Sequence, residues 1–278
     1  TALLGPRALA GTFDPAVLEM TDADGISLRT ALHSFGLAPD EIAALRRDSD
    51  SILGYLETHI EQGPVLEQAN EALGVVTAIC GIERHPILLT GETGHAGTVP
   101  MALRRDALVG ASAIVTEVNR LARQDDDLLG TVGYLKVAPN AVNAIAREVR
   151  MTIELRSPDD GVREAAGQGL SAFARAVAQD HGLACQISRD YHQPAQPCDA
   201  GLTDTLESAV RRVGGRGLRL PSGATHDASA MADLCPIAML FVRCRGVVSH
   251  IPEEFADQDD MAKAVNVICE FLKLKGDR

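Results

Sequence analysis

The sequence predicts an α/β protein in which a smaller domain is inserted into a larger one. Strand and helix patterns alternate up to residue 82 and again after residue 195, as they do in an α/β domain. The stretch between them follows the order β-α-β-β-α-β, which describes a ferredoxin-like sandwich of one sheet and two helices. We therefore assign residues 1–82 and 195–278 to the larger domain and residues 83–194 to the insertion.

The first part of the larger domain is predicted from helical spacing, capping residues and apolar runs. Apolar residues at helical spacing over 27–35 predict a helix that Ser27 caps and Gly36 ends. The apolar, β-branched run at 75–82 predicts a buried strand. The other elements predicted here are a strand at 52–61 and helices at 40–47 and 64–72.

The insertion is predicted from two long amphipathic helices and four strands. Residues 105–123 and 161–181 have apolar side chains at helical spacing, and alternate residues of 147–155 are apolar, as in a strand with one buried face. The remaining strands of the insertion are predicted at 86–90, 130–137 and 184–191. The larger domain then resumes with helices at 204–213, 229–234 and 259–273 and strands at 218–220 and 236–242.

Composition and charge argue against several classes of partner. The chain has 26 lysines and arginines against 38 aspartates and glutamates, and this net charge of -12 disfavours nucleic acid and anionic membrane surfaces. The longest apolar run, 235–242, is far too short to span a bilayer, and no signal segment is recognisable. The six cysteines are scattered along the sequence, which is typical of thiols that remain free in a reducing compartment. We therefore expect a cytoplasmic protein.

Four histidines stand at the ends of predicted strands or in the loops that follow them. His95 lies in the glycine-rich loop at 91–101, and the others are His59, His226 and His250. Loops at strand ends are where α/β folds build their sites, and imidazole is the commonest metal ligand. Each histidine alone favours a structural role over a functional one, but together they predict one shared site.

Two further residues of the insertion have the chemistry to bind a carboxylate or acyl group. Arg156 ends a predicted strand, where its guanidinium could grip a carboxylate through two hydrogen bonds. Asn143 offers a donor and an acceptor from a loop. A surface salt bridge for Arg156 and a turn-forming role for Asn143 are the alternatives.

These motifs resemble those of the hydantoinase/carbamoylase-type zinc amidases, a family that includes N-carbamoyl-L-amino-acid hydrolases, allantoate amidohydrolases and β-ureidopropionases. The resemblance covers essentially the whole chain and rests on four motifs in the family's order. They are the hexapeptide His59 to Pro64, the heptapeptide His95 to Met101 followed by Arg105-Asp106, the segment Ser222 to Asp227, and the segment Ser249 to Glu254. The resemblance implies a zinc-aminopeptidase-like catalytic domain whose insertion serves as lid and dimerisation domain.

The resemblance also implies roles for individual residues. Each of two divalent ions, zinc or manganese, would bind one of the metal-ligating histidines, His59 and His250. Arg156 would grip the substrate carboxylate, and His95 would act as the catalytic residue that polarises the scissile carbonyl from the partner subunit of a homodimer. The complete set of substrate-binding positions implied is Gln62, His95, Asn143, Arg156 and His226.

The reaction implied is hydrolysis of the linear amide or ureido C–N bond of a small acid. Allantoate, a carbamoyl amino acid and β-ureidopropionate all fit these residues. The family's first metal-binding histidine, its bridging aspartate and its pair of glutamates have no counterpart here and would lie upstream of Thr1. We therefore expect an N-terminal portion to be lacking and this chain alone to bind little zinc and to be inactive. The alternatives are a dipeptidase or aminoacylase of the same superfamily and a non-catalytic dimerisation or binding module.

Overall fold

The computed structural model of the protein describes residues 2–246 and 250–276. The chain folds into two compact units. Residues 1–79 and 196–278 form the first, which we call the split unit, and residues 80–195 form the second, which we call the inserted unit. None of the helices in the described ranges has the length and apolar character that crossing a membrane requires.

Strands and helices are numbered in chain order. The strands are β1 (Tyr55–Ile60), β2 (Leu73–Ile79), β3 (Gly81–Thr90), β4 (Leu129–Ala138), β5 (Glu148–Ser157), β6 (Ala184–Ile187), β7 (Tyr191–Gln193), β8 (Gln196–Pro197), β9 (Leu218–Ser222) and β10 (Ile237–Val242). The helices are α1 (Leu4–Ala10), α2 (Leu28–Ser34), α3 (Val65–Ala69), α4 (Ala107–Ala122), α5 (Asp160–Asp180), α6 (Ala200–Arg212), α7 (Ala228–Met231) and α8 (Gln258–Gly276). Short 3₁₀ helices cover Pro15–Glu19, Pro39–Leu45, Ser49–Ser51 and Met101–Leu103.

The split unit is built on a mixed sheet in which β10 is fully buried. β10 runs parallel to β1 and antiparallel to β2, and β2 also pairs with β8 and β9. Alternate residues of β10 face two different hydrophobic cores, one with residues of α1 and α7 and one with residues of α6 and α8. Because both faces of β10 are covered, its sequence is an unbroken apolar run.

The inserted unit is an antiparallel sheet with two helices on one face. The strand order is β4-β5-β3-β6, and β7 pairs with the beginning of β3. One core contains Ile114 of α4, Leu170 of α5 and Met151 of β5, so both helices cover the same face. This order and layering are those of a ferredoxin-like sandwich. The predicted α/β fold class with a ferredoxin-like insertion is confirmed.

Several elements differ from the sequence-based expectation, among them the helix predicted at 40–47, which is a 3₁₀ helix over Pro39–Leu45. Helix α1 was not predicted, although Pro6 in its first turn is compatible with a helix start. The strand predicted to begin at Pro86 begins at Gly81, and the single strand predicted at 184–191 is divided into β6 and β7. The division of β6 from β7 has a physical reason. β7 pairs with residues 82–84 of β3 and β6 with residues 87–90, so Pro86, which has no N–H to donate, lies between the two paired stretches.

A buried network of charged side chains organises one end of the inserted unit. Glu83 is 1% exposed and accepts hydrogen bonds from His85 at 3.0 Å and Arg189 at 2.8 Å. The guanidinium of Arg163, which is fully buried, lies 3.6 Å from the same carboxylate. Burial alone would raise the pKa of Glu83, but these hydrogen bonds and positive charges hold the pKa below its usual value. Glu83 is therefore an ionised carboxylate inside the protein.

Arg163 also connects this network to both ends of the inserted unit. It pairs with Asp160, whose Oδ1 accepts a hydrogen bond from the backbone N–H of Ala195 at 2.8 Å. At the other end, a Cβ added to Gly81 would lie 1.7 Å from Nη1 of Arg163, so only glycine fits beside the guanidinium. Gly81 and Ala195, at the two ends of the inserted unit, thus lie beside this buried arginine and its partner Asp160.

We predict that Glu83→Gln lowers the free energy of unfolding at pH 7 by about 3 kcal/mol, because it leaves buried positive charge unpaired. The folded-state pKa of Glu83 is depressed, so its contribution is present above the unfolded-state value of about 4.3 and is lost as the pH falls through the folded-state pKa. The difference between variant and wild type should therefore narrow in acid. Urea unfolding of both proteins at pH 7 and at about pH 4 measures this difference in the free energy of unfolding.

The matched control is Glu117→Gln, which removes a surface ion pair with Arg120 on α4. Such a pair contributes only about 0.2 to 0.5 kcal/mol. Equal effects of the two substitutions at pH 7 would contradict the role assigned to Glu83.

Candidate active site

Strands β1 and β10 end side by side, and each leads into a loop that contains predicted site residues. Ile60 is level with Val242 in the parallel register, so both loops leave the same edge of the sheet. Gln62 lies in the loop after β1 and His250 in the loop after β10. Ser249, the neighbour of His250 in the predicted motif, lies outside the described residues. Crevices at the carboxyl ends of parallel strands are the usual binding sites of α/β sheets.

His59 has a geometry that suits a metal ligand. It is half-buried on β1, and its Nδ1 lies 2.8 Å from the carbonyl oxygen of Ile60. A carbonyl oxygen only accepts, so Nδ1 bears the hydrogen, which leaves the lone pair of the ring on Nε2. A backbone carbonyl that fixes the tautomer in this way is typical of histidines that bind metals.

His226 packs directly against His59. The two ring centroids are 4.7 Å apart in an edge-to-face arrangement, and His226 is 4% exposed. Its Nε2 lies 2.6 Å from Oγ of Ser222, and its Nδ1 lies 3.5 Å from Oε1 of Glu57. Both ring nitrogens therefore have partners within the chain, and the role of His226 in substrate binding remains a prediction.

Glu57 joins this cluster to helix α7 and was not singled out from the sequence. Its Oε2 accepts a hydrogen bond from the backbone N–H of Ala228 at 2.8 Å. Burial would raise its pKa, but the hydrogen bonds from His226 and Ala228 and the nearby histidines hold the pKa below the usual value. The one available signal was that Glu57 precedes His59 by two residues, which places both on one face of a strand.

The loops after β1 and β10 also contact each other. Nε2 of Gln62 lies 3.5 Å from Oε1 of Glu254. Gln62 and His250 both adopt left-handed backbone conformations, with φ of 55° and 59°. Such conformations are uncommon for residues other than glycine and cluster at functional sites. The structure thus brings Gln62 close to the loop that contains His250.

In the inserted unit, His95 and Asn143 are neighbours. His95 forms an isolated β-bridge with Ala144, and the carbonyl of Asn143 accepts a hydrogen bond from the N–H of Ala96 at 2.8 Å. Nδ1 of His95 accepts a hydrogen bond from the N–H of Gly97 at 3.1 Å, so the ring hydrogen is on Nε2. The side chains of His95 and Asn143 are exposed at this end of the unit.

Arg104 fixes this loop and was also missed from the sequence. Its Nε donates to the carbonyl of Val99 at 3.1 Å, and its Nη2 donates to the carbonyl of Ala96. One guanidinium therefore holds two points of the chain that presents His95.

Arg156 lies at the opposite end of the same sheet. It pairs with Glu154 at 2.7 Å, and Glu154 pairs in turn with Arg84. Gly91, which leads into the loop of His95, is hydrogen-bonded to the residue that precedes Glu148 at the start of β5. Arg156 follows Glu148 by eight positions along β5. At about 3.3 Å per residue, the two ends are roughly 26 Å apart, so one small molecule cannot touch both in a single chain.

One group of side chains in the described part of the chain meets a simple geometric test for holding an ion, and it is not the predicted one. It consists of Glu83, Glu164 and His192 of the inserted unit. However, Nη2 of Arg163 lies 3.0 Å from Nε2 of His192 and 3.7 Å from Oε1 of Glu164. A guanidinium in that position repels a cation, and we assign these side chains to the buried network around Glu83.

Comparison with known proteins gives consistent matches. The profile of peptidase family M20/M25/M40 matches residues 20–274. A probable allantoate deiminase from Oryza sativa subsp. japonica is 38% identical over 98% of this chain and 62% of its own length. An N-carbamoyl-L-amino acid amidohydrolase from Geobacillus stearothermophilus is 36% identical over 96% of this chain and 65% of its own length. The chain therefore spans less than two thirds of these two relatives.

The structural comparison agrees. An amidase of the hydantoinase/carbamoylase family from Burkholderia multivorans superposes with a TM-score of 0.91 at 31% identity, covering 99% of this chain and 66% of that one. The family match, the relatives and this fold lead to one assignment. The chain belongs to peptidase family M20/M25/M40, whose enzymes are metal-dependent, and within it to the hydantoinase/carbamoylase-type amidases.

Proposed function

We propose that the protein is a metal-dependent amidohydrolase that cleaves the linear C–N bond of a ureido or N-carbamoyl acid. The observation that supports it most is the cluster at the end of β1, where His59, with Nε2 available, packs against His226 and Glu57. Relatives named as allantoate deiminases and N-carbamoyl-L-amino acid amidohydrolases support the substrate class. We further propose that it acts in the cytoplasm.

The metal-binding role is assigned to His59 and His250, each toward one of two divalent ions, zinc or manganese. The donor chemistry fits, because the Nδ1–H bond of His59 presents a neutral Nε2 and the loop of His250 leaves the adjacent strand end. When bound, such ions polarise a carbonyl and lower the pKa of water. Zinc sites have three or four protein ligands, so two histidines need further ligands beyond those assigned here.

The chain's own residues would hold and orient the substrate. Arg156 is assigned to the carboxylate, since its fork of N–H donors can match two carboxylate oxygens. In this structure its Nε and Nη2 both contact one carboxylate oxygen, Oε1 of Glu154, at 2.8 and 2.7 Å. Asn143 and the Nε2–H of His95 are assigned to the carbonyl that is cleaved, where a donor stabilises the charge that develops on oxygen. Gln62 and His226 complete the proposed substrate-binding set.

A homodimer reconciles these assignments with the sheet. His95 and Arg156 are at opposite ends of the inserted unit, so both contact one substrate only if they come from two copies of the chain. Strand β4 supports such an interface, because in the described part of the chain it pairs only with β5 and exposes Leu129, Tyr134 and Leu135 by 55%, 51% and 45%. An apolar sheet edge is suited to pairing with a second copy.

Arg156→Ala should raise the KM for an N-carbamoyl amino acid on the order of 10- to 100-fold, the expected cost of a lost hydrogen bond to a charged group. The KM for the corresponding neutral amide should change little. Steady-state kinetics on protein expressed from the complete coding sequence measures both. Arg150→Ala, also on β5 and paired with Glu148 at the surface, is the control that should leave both values unchanged. Equal effects of Arg156→Ala on the two substrates would remove its assigned role.

His59→Ala and His250→Ala should each reduce the amount of divalent metal bound by the protein, and activity with it, because each removes one ligand. Elemental analysis after dialysis of protein expressed from the complete coding sequence gives the stoichiometry. The control is His33→Ala, since His33 is exposed on α2, which packs against the 3₁₀ helices Pro15–Glu19 and Pro39–Leu45. Metal content equal to that of wild type in both variants would contradict the proposed ligands.

Subunit complementation tests the shared site. At a substrate concentration well below the KM, His95→Ala and Arg156→Ala should each retain only a small fraction of wild-type activity, but co-expression of the two chains should recover about one quarter of the wild-type value, because half of the dimers are mixed and each mixed dimer has one intact site. Differently tagged chains and two-step purification isolate the mixed dimer. Its inactivity would show that both residues serve the same chain's site or neither.

A further inference from the structure

The loop between β10 and α8, which contains His250, is closed at its base by a short ladder. The N–H of Arg245 donates to the carbonyl of Phe255 at 2.9 Å, and Cys244 forms an isolated bridge with Ala256. The guanidinium of Arg245 also lies over the ring of Phe255, 4.3 Å from its centroid. The two ends of the loop are therefore paired, and His250 lies in the part between them.

A buried ion pair fixes the direction in which this loop leaves the sheet. Asp260, in the first turn of α8, is 2% exposed. Its Oδ2 accepts hydrogen bonds from Nε and Nη2 of Arg243 at 2.8 and 2.6 Å, and its Oδ1 accepts one from Lys263 at 3.1 Å. A carboxylate this deeply buried requires such partners, so the geometry of Arg243 is strongly determined.

Arg243 is the first residue after β10, and it is held at two further points. Its backbone N–H donates to the carbonyl of Ala72 at 2.9 Å, and its Nη1 lies 3.4 Å from Oδ1 of Asn70. Three residues further on, the N–H of Gly246 donates to Oε2 of Glu67 at 2.9 Å. The chain from Arg243 to Gly246 is thus anchored to the segments around β2 and α3 and to helix α8.

We propose that Asp260 and Arg243 are positioning residues for His250. Their ion pair sets the path of the loop base, and the left-handed backbone of His250, a conformation that persists only where surrounding contacts impose it, depends on that path. This inference rests on the proposed function, in which His250 binds a metal ion. Helix α8 is thereby linked to the metal site through one buried carboxylate.

The test uses cobalt(II) as the probe with protein expressed from the complete coding sequence. Asp260→Asn should weaken cobalt binding about tenfold and change its visible absorption, because the ligand is no longer held in place. It should lower kcat while the KM for an N-carbamoyl amino acid stays near the wild-type value. Arg243→Gln should have the same effects on cobalt binding, absorption and kcat. Because the side chain of Arg243 is only half-buried, this variant gives a second measurement if Asp260→Asn does not fold.

Two controls separate positioning from loss of stability. Lys263→Met removes the other partner of Asp260 without touching Arg243, and Leu206→Ala opens a cavity in α6, far along the chain from the loop. Both should leave the cobalt spectrum and affinity unchanged, although Leu206→Ala should lower the thermal midpoint at least as much as Asp260→Asn does. Arg243→Lys, which keeps the charge, should restore part of the affinity lost in Arg243→Gln.

His250→Ala makes the two possible failures distinguishable. If it alters the cobalt spectrum while Asp260→Asn and Arg243→Gln both retain wild-type affinity and spectrum, the positioning inference is overturned and the ligand assignment survives. If His250→Ala itself leaves the cobalt spectrum unchanged, the ligand assignment and this inference are overturned together.

Discussion

The parallel pairing of β1 with β10 is the constraint on which the candidate site depends. Hydrophobic burial fixes it, because β10 is covered on both faces and its alternate side chains enter two separate cores. Once β10 is fixed, the register makes Ile60 level with Val242, and the loops that follow must emerge at one edge. Gln62 and the loop that contains His250, far apart in the sequence, come close together in the fold for this reason.

Much of the fold can be predicted from local sequence patterns. The features that could not be predicted depend on contacts between residues that are far apart in the sequence. The apolar run of β10 and the order of elements in the insertion were sufficient to predict the α/β class and the ferredoxin-like sandwich. The division of β6 from β7 was not predictable, because it depends on where Pro86 of a distant strand lies in the register. The partnership of Glu57 with His226 spans more than 160 residues and depends on packing of α7 against the sheet.

Three acidic residues whose structural roles were not predicted from the sequence also depend on contacts between distant parts of the chain. Glu57, Glu83 and Asp260 look like ordinary acidic residues in the sequence, but Glu83 and Asp260 are buried, Glu57 is half-buried, and each accepts hydrogen bonds within the fold. A buried carboxylate is stable only when its partners are held in place, so each one fixes the elements that supply those partners. In this protein, two of the three connect elements of the split unit near the predicted histidines, and the third organises the inserted unit.

The exposed side of β1 has a consequence for the behaviour of this chain in solution. Among the described residues β1 pairs only with β10, so its other edge presents backbone N–H and C=O groups without strand partners. Leu53 and Leu272, which are 86% and 61% exposed, line the groove beside it. An uncovered strand flanked by apolar side chains is a template for the strand of another molecule. In addition to the β4 contact proposed for the homodimer, these 278 residues should therefore associate through β1 in a concentration-dependent way, before any unfolding of the core.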